Sequence, residues 1–549
     1  MIDLELPLGK KRTKLYRAFE MLPALLSYGL LALMVLLSII SPLLASIYLL
    51  LLIVTMVVKA IGIAIHSIAG RRHLVRAQKI DWSERLHQLE DPVASYQTIE
   101  GNRSAGYDYK VHQENLRLMS ASPDSFPKPS SIYNAIIIAA YNEPYDVIRP
   151  TLQALVDSTY DSKRMIVVFA YEERGGQGIK ATVDRLKSEF GGNFKAFMPV
   201  MHPANLPDEV VGKGPNITYA AYQLEKWCKQ RKIDFSNVLI TTLDCDNKPH
   251  LKYFDYATYE YIVHEDRKHL SYQPIALYFG NIWDAPAPMR VIATGNSFWT
   301  IVSSMRPHLL RNFAAHSQPM DALSEMQYWS KRTIVEDGHQ YWRSYFYFGG
   351  NYNVIPVYVP IYQDAVLADT FKKTLITQFK QLRRWGYGAS DVPYVGVRLF
   401  TKRRNVSFIP GLARFVRLID SHVTLATVAI LVAVGGWVPL LINSQAATDI
   451  AAHNLPEVVS YLQRGAMIGL FITIMLSIRM LPPRPARYKR RRSLFMVLQW
   501  VLLPLTSIVY NSLASLSAQT HLLTGRYLDT FDVTEKATRE KSSESKAGA

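Results

Sequence analysis

The run NVLITTLDCD, residues 237–246, changes character at its end. Asn237 to Leu243 has the length and β-branched, apolar composition of a buried strand, and it stops at Asp244, Cys245 and Asp246. Two upstream runs repeat the plan. IYNAIIIA (Ile132–Ala139) leads into the turn-like YNEP, and RMIVVFA (Arg164–Ala170) ends in YEERGG. Tyr145 to Asp157 and Lys180 to Glu189 have helical spacing. Apolar strands alternating with helices predict an α/β domain on a parallel sheet with crossovers. Ligands of open α/β sheets bind beyond the carboxyl ends of strands. The polar clusters that close these strands are therefore read first as chemistry.

The α/β region occupies only part of the 549 residues, and a chain of that length needs more than one structural unit. Met21 to Val58 carries no charged residue and is about twice the ~20 residues needed to cross a bilayer. Ser41-Pro42 breaks it, which predicts two helices and a tight turn. The block is too long for a cleaved signal peptide. The net charge is +17, and basic residues flank the apolar blocks: Lys10, Lys11, Arg12, Lys14 and Arg17 before, Arg71, Arg72 and Arg76 after. That placement argues for cytosolic hairpin ends and a lipid bilayer partner, and against nucleic acid. Cys228 and Cys245 lack metal-type spacing and provide no disulfide framework. Later apolar blocks are Ser421–Asn443, the shorter Gly465–Ile478, and Leu494–Leu516, which contains Pro504. The basic RPARYKRRR, Arg484 to Arg492, separates the last two.

Three constellations carry possible chemistry. Asp244 and Asp246, spaced i, i+2 after a strand, can approach one hard divalent cation, Mg²⁺ or Mn²⁺, which in turn neutralises a diphosphate. Glu336 and Asp337, in IVEDGHQYW, suit a helix start; a carboxylate facing a sugar hydroxyl there can serve as general base. QFKQLRRWGYG holds Gln381, Arg383, Arg384 and Trp385: guanidinium groups for phosphate and a flat ring for a sugar, or a basic interfacial helix with an aromatic anchor.

In the order YNE, acidic pair, GKGPN, DCD, ED and QLRRW, framed by apolar helices, the sequence resembles the membrane-integrated family 2 glycosyltransferases, the group of cellulose, hyaluronan and poly-N-acetylglucosamine synthases. The resemblance spans about Ile132 to Gly388. It implies a GT-A fold on the cytosolic face joined to an α-helical transmembrane region, a nucleotide-sugar donor (a UDP-sugar), and an inverting mechanism. By the same resemblance, Tyr141, Asn142 and Glu143 meet the nucleotide, and Glu172 or Glu173 substitutes for the family's Asp-rich turn at the base. Lys213 lies near the nucleotide with Asn216 supporting it; Asp244 and Asp246 match the DxD metal motif. Asp337, beside Glu336, matches the family's base, with Val335 in place of the usual Thr. TGNSFW (Thr294–Trp299), with Gly295, Asn296 and Ser297, resembles an acceptor loop carrying bulkier residues. Gln381, Arg384 and Trp385 match QxxRW, with the Trp on the acceptor side.

The expected organisation is a basic N-terminus (1–18), a transmembrane hairpin (19–66), a linker (67–130), the GT-A domain (131–371), interfacial helices with QxxRW (372–419), two transmembrane helices (420–481), a basic loop (482–492), an embedded or re-entrant segment (493–525) and a tail (526–549). The tail opens with FDVTEK, which resembles the FxVTxK loop that closes over the donor in cellulose-synthase-like members; Thr534 and Lys536 would then reach the diphosphate. Five crossings would leave FDVTEK on the wrong face, so Leu494–Leu516 is expected to bend at Pro504 and return, or to lie partly in the interface. The acceptor is a growing polysaccharide or a lipid-linked sugar. A transporter or scaffold with a degenerate transferase domain is the reading from another class. Intact acidic motifs, and spans with few polar residues inside them, argue against it.

Overall fold

The β-branched runs form the strands expected of them. In this computed structural model, which describes residues 4–8, 11–101, 106–402, 404–447 and 450–528, they assemble an eight-stranded sheet. Its strands are β1 (Tyr133–Ala140), β2 (Met165–Glu172), β3 (Ala196–His202), β4 (Val238–Asp244), β5 (Lys248–Pro249), β6 (Leu270–Leu277), β7 (His316–Pro319) and β8 (Asn353–Tyr362). The spatial order is β3-β2-β1-β4-β7-β6-β8-β5.

β1 to β4 are parallel, joined by the helices Tyr145–Val156, Gly176–Phe190 and Lys213–Gln230. The sheet as a whole is mixed rather than parallel, because β7 runs antiparallel to β4 and to β6. Side chains of β1 and β2 alternate between two cores. Ile136, Ile138, Val167 and Phe169 enter one, and Ala135, Ile137, Ile166 and Val168 the other. Burial on both faces explains why these strands read as continuous apolar runs. Each fully buried Ile or Val contributes about 1.5–3 kcal/mol.

The chain divides into two compact units: Met1–Leu6, Ala69–Gly280 and Trp299–Asp364 in the first, Pro7–Ile68, Asn281–Phe298 and Ala365–Ala549 in the second. The first contains the sheet. Of the stretch 67–130, expected as a linker, residues 69–101 and 106–130 are folded into it. Helices Trp82–Gln88 and Pro92–Ile99 begin at Asp81 and Asp91, whose carboxylates each accept a backbone N–H at 3.0 Å. Trp82 stacks on Tyr256 with ring centroids 3.6 Å apart, and His112, on the helix Tyr109–Ala121, pairs with the Tyr259 hydroxyl at 2.9 Å. Aromatic packing onto the helix Tyr253–Val263 is a tertiary effect that local composition does not display.

Four helices among the described residues are long and apolar enough to cross a membrane: Lys14–Ile40, Pro42–Ala77, whose end from Ala69 belongs to the first unit, Phe408–Ile442 and Arg491–Thr524. The first two form the expected hairpin around Ser41, tied by the Tyr48 hydroxyl donating to the Leu30 carbonyl at 3.1 Å. The short block Gly465–Ile478 lies inside a longer helix, Ile450–Met480. The expected reversal at Pro504 is not found. The chain stays helical through it, with 3₁₀ turns at Gln499–Leu502 and π turns at Ser507–Leu513. Pro504 falls in the first turn of the piece that follows the 3₁₀ segment, where its missing N–H costs little.

An ionic cluster joins the two ends of the second unit. Buried Glu20 receives Arg12 at 3.0 Å, Arg17 at 2.7 Å and the Tyr527 hydroxyl at 2.9 Å. Arg12 also lies over the Tyr527 ring, 3.4 Å from its centroid, and Arg17 donates to the carbonyls of Leu522 and Leu523.

Candidate active site

Parallel register places the acidic strand ends along one edge. Asp244 lies beside Ala139, Ala140 beside Tyr171, and Glu172 beside His202. The turns after β1, β2 and β4 therefore open on the same side of the sheet. The helix Lys213–Gln230 starts across them: Asn216 donates to the carbonyls of Ala140 at 3.4 Å and Ala170 at 3.1 Å. Its backbone N–H groups thus begin where an anion bound at this edge would lie.

Lys213 organises the edge. Its amine is buried, 2.7 Å from Asp244 Oδ1, and donates to the Ala314 carbonyl at 2.9 Å. Burial alone would lower its pKa; Asp244, then Glu336 and Asp337, outweigh that effect and hold it above the ordinary lysine value. Glu336 and Asp337 form the first turn of the helix Glu336–Tyr347, as their sequence suggests, and the helix dipole favours them there. Glu336 is buried, whereas Asp337 is partly accessible and accepts the Gly338 N–H at 2.7 Å. Val335 supplies no side-chain cap; the Thr333 hydroxyl accepts its N–H instead, at 3.3 Å. Close approach depends on Gly214, where a β-carbon would press on the Ser330 carbonyl and lie 3.1 Å from Glu336 Cβ.

On the β1–β2 side, Glu143 accepts the Tyr141 N–H at 2.7 Å and Asn142 is exposed. Glu172 and Glu173 stand at the expected strand end, but protein groups hold both. Glu172 pairs with Arg174, and Glu173 accepts the Ala204 N–H at 2.8 Å. Sequence reasoning missed Arg174, whose guanidinium lies 5.2 Å from the Tyr141 ring centroid. It also missed Glu209, clamped by His202 at 3.0 Å and Lys331 at 3.1 Å in the loop that leads to Lys213. No spacing marks either residue; an arginine directly after two glutamates was the available signal for the first.

Gly175 lets the YEERGG turn seat against β1. A β-carbon there would overlap the Tyr141 carbonyl and meet Ile179 at 2.8 Å. Gly175→Ala is expected to destabilise the protein by about 1–3 kcal/mol, because a backbone group must shift. Thermal unfolding of the purified variant measures this; an unchanged midpoint would show the turn to be free to move.

The residues fit a divalent cation in part. No group of three His, Cys, Asp or Glu that could hold a metal exists among the described residues. Asp244 and Asp246 are two carboxylates at a strand end, which suits a cation that completes its shell with substrate phosphates and water. The buried Asn247 beside them finds no hydrogen-bond partner for either amide atom among the described residues, as expected of a group that meets ligand or ordered water.

The remaining predicted positions belong to the second unit. Gln381, Arg384 and Trp385 lie on the helix Phe371–Gly386; Gln381 accepts from Gln378 at 3.0 Å, and Trp385 is exposed. Gly295, Asn296 and Ser297 are not in a loop. TGNSFW is internal to the helix Ala287–Ser304, and Ser297 donates back to the Ala293 carbonyl at 2.9 Å. The resemblance implies a loop, but in the structure the backbone stays helical through Gly295 and Asn296. Thr534 and Lys536 of FDVTEK lie outside the described residues.

No protein-family model and no curated protein sequence matches this chain. Among solved structures, it is similar to a mannosyltransferase, PcManGT from Pyrobaculum calidifontis in complex with GDP-Man and Mn²⁺. Identity is 13%, coverage 80% of this chain and 98% of that one, and TM-score 0.37. It is also similar to S. aureus TarS residues 1–349 with UDP-GlcNAc (10%, 74% and 95%, TM-score 0.32). A third is glucosyl-3-phosphoglycerate synthase from Mycobacterium tuberculosis with Mn²⁺, UDP and phosphoglyceric acid (13%, 51% and 80%, TM-score 0.27).

Proposed function

We propose that this protein is an inverting glycosyltransferase of the membrane-integrated family 2 type. It would move a sugar from a nucleotide-sugar donor, a UDP-sugar, to a growing polysaccharide at the cytosolic membrane face. One observation supports this above the others. The Lys213 amine pairs with Asp244 at 2.7 Å, and Gly214 beside it packs against Glu336, joining the DxD strand end to the acidic helix start within one unit.

The chemistry follows from those groups. Tyr141, Asn142, Glu143 and Lys213 bind the nucleotide end of the donor. Asp244 and Asp246 would hold the divalent cation, which when bound supplies positive charge to the diphosphate. Asp337, the accessible member of its pair, takes the proton from the acceptor hydroxyl. The acceptor oxygen forms the new bond to the anomeric carbon as the bond to the diphosphate breaks, so one displacement inverts that centre. Glu336 stays buried and fixes the helix start against Lys213. Gln381 and Arg384 are assigned to the diphosphate and Trp385 to the acceptor sugar, by their match to QxxRW.

A donor panel on purified full-length protein in detergent tests this reading, with diphosphate release and product size as readouts. A single nucleotide sugar is expected to support release, chelation with EDTA to abolish it, and Mg²⁺ or Mn²⁺ to restore it. A ladder of products identifies a synthase; one added sugar identifies a single-addition enzyme with a lipid-linked acceptor. Absence of release from every donor with metal present would remove the transferase assignment.

A further inference from the structure

The helix that begins with Glu336 and Asp337 carries Arg343 two turns further on. The Arg343 side chain is only 1% exposed. A guanidinium buried so deeply requires a countercharge and several acceptors. Two acceptors come from the preceding loop, the carbonyls of Met326 at 2.8 Å and Tyr328 at 3.2 Å. The others come from the start of the chain: the Leu4 carbonyl at 3.1 Å and the Glu5 carboxylate at 2.8 Å. Glu5 is the carboxylate paired with Arg343.

The second oxygen of Glu5 accepts the Ser330 hydroxyl at 2.8 Å. Ser330 is the residue whose carbonyl packs against Gly214, next to Lys213. Its hydroxyl also accepts the Arg332 N–H at 3.2 Å, and Arg332 in turn donates to the Leu6 carbonyl at 3.3 Å. Leu4 anchors the segment in the core that holds Met320, Leu323, Met326, Tyr328 and Trp329. Residues 4–6 thus form a strap. One carboxylate, Glu5, is bonded both to the helix bearing Asp337 and to the loop bearing Ser330.

We infer that Glu5 is a positioning residue, which sets the first turn of the Glu336–Tyr347 helix against Lys213 and so aims the Asp337 carboxylate. Glu5 touches no reacting atom and acts through Arg343 and Ser330. This inference rests on the transferase reading for its catalytic consequence, but not for its structural one.

Glu5→Gln keeps the shape and one of the two accepting oxygens, turns the other into an amide donor, and removes the charge that neutralises Arg343. In full-length protein, kcat is expected to fall about 10- to 100-fold, because small misplacements of a catalytic group cost that much, with donor KM within about threefold of wild type. Glu5→Asp, which retains the charge, is expected to recover most of the loss. A merely structural role would lower the unfolding temperature and leave the folded fraction turning over at the wild-type kcat; that result would overturn the inference. Hydrogen exchange provides the second measurement. Amides of the Glu336–Tyr347 helix should exchange about tenfold faster in Glu5→Gln, while those of Gly176–Phe190 stay unchanged. If wild-type protein releases no diphosphate from any donor, the transferase reading fails, and exchange alone decides the strap. Equal exchange of the Glu336–Tyr347 helix in both proteins would sink it.

Discussion

Asp337→Asn is expected to lower sugar transfer by about 10²- to 10⁴-fold, the range typical of losing a general base. The reasoning is local. Asp337 is the accessible member of the acidic pair, and its Oδ1 accepts the Gly338 N–H at 2.7 Å. An amide oxygen retains that bond, so the helix start persists. The loss of a negative charge near the dipole costs about 0.3–1 kcal/mol, a small shift in unfolding temperature. Donor binding should change little, because Asp244, Asp246 and Lys213 are untouched. Diphosphate release paired with calorimetric donor binding separates the two effects. Near-normal turnover in this variant would assign the base elsewhere.

Lys213→Met should be more damaging to the fold. Methionine approximates the stem of lysine but removes the charge that faces Asp244, Glu336 and Asp337. Removing one member of a buried ion pair costs about 3–5 kcal/mol. The lower end applies here, since the Asp244 side chain is 35% exposed and water screens part of the interaction. The pH dependence has a definite sign. The folded-state pKa of Lys213 lies above the ordinary lysine value, so its contribution is complete below that value. It is lost only as the pH rises into the strongly alkaline range. The unfolding-temperature gap between wild type and variant should therefore be flat from about pH 6 to pH 9. A gap that closes within that window would mean that Lys213 is not charged as described. Donor affinity should fall as well, because the amine stands where the diphosphate is expected.

The strands were legible because burial on both faces leaves a continuous apolar signature, as in MIVVFA of β2. Their polar terminations marked the edge where Tyr141, Glu172 and Asp244 stand together. Four features were hidden for a common reason: each depends on partners distant in sequence. The stretch 67–130 looked like a linker because its aromatic anchor, Trp82, finds Tyr256 only in the fold. β7 has four residues, too short for periodicity to reveal that it reverses the sheet direction. TGNSFW reads as a loop only through the family resemblance, while the chain around it runs as one helix, Ala287–Ser304. Glu5 gave no signal; its significance is the Arg343 that it neutralises more than three hundred residues later.

The cluster of Arg12, Arg17, Glu20 and Tyr527 carries a consequence in counting. Residues that touch cannot lie on opposite faces of a bilayer. If the chain spans a bilayer, its crossings between Glu20 and Tyr527 must therefore sum to an even number. The four helices of spanning length and composition among the described residues fit that parity. A fifth full crossing would break it, or pull the Tyr527 hydroxyl away from Glu20. In a spanning chain, the same contact would put residue 527, four positions before FDVTEK, on the face where the basic N-terminus begins.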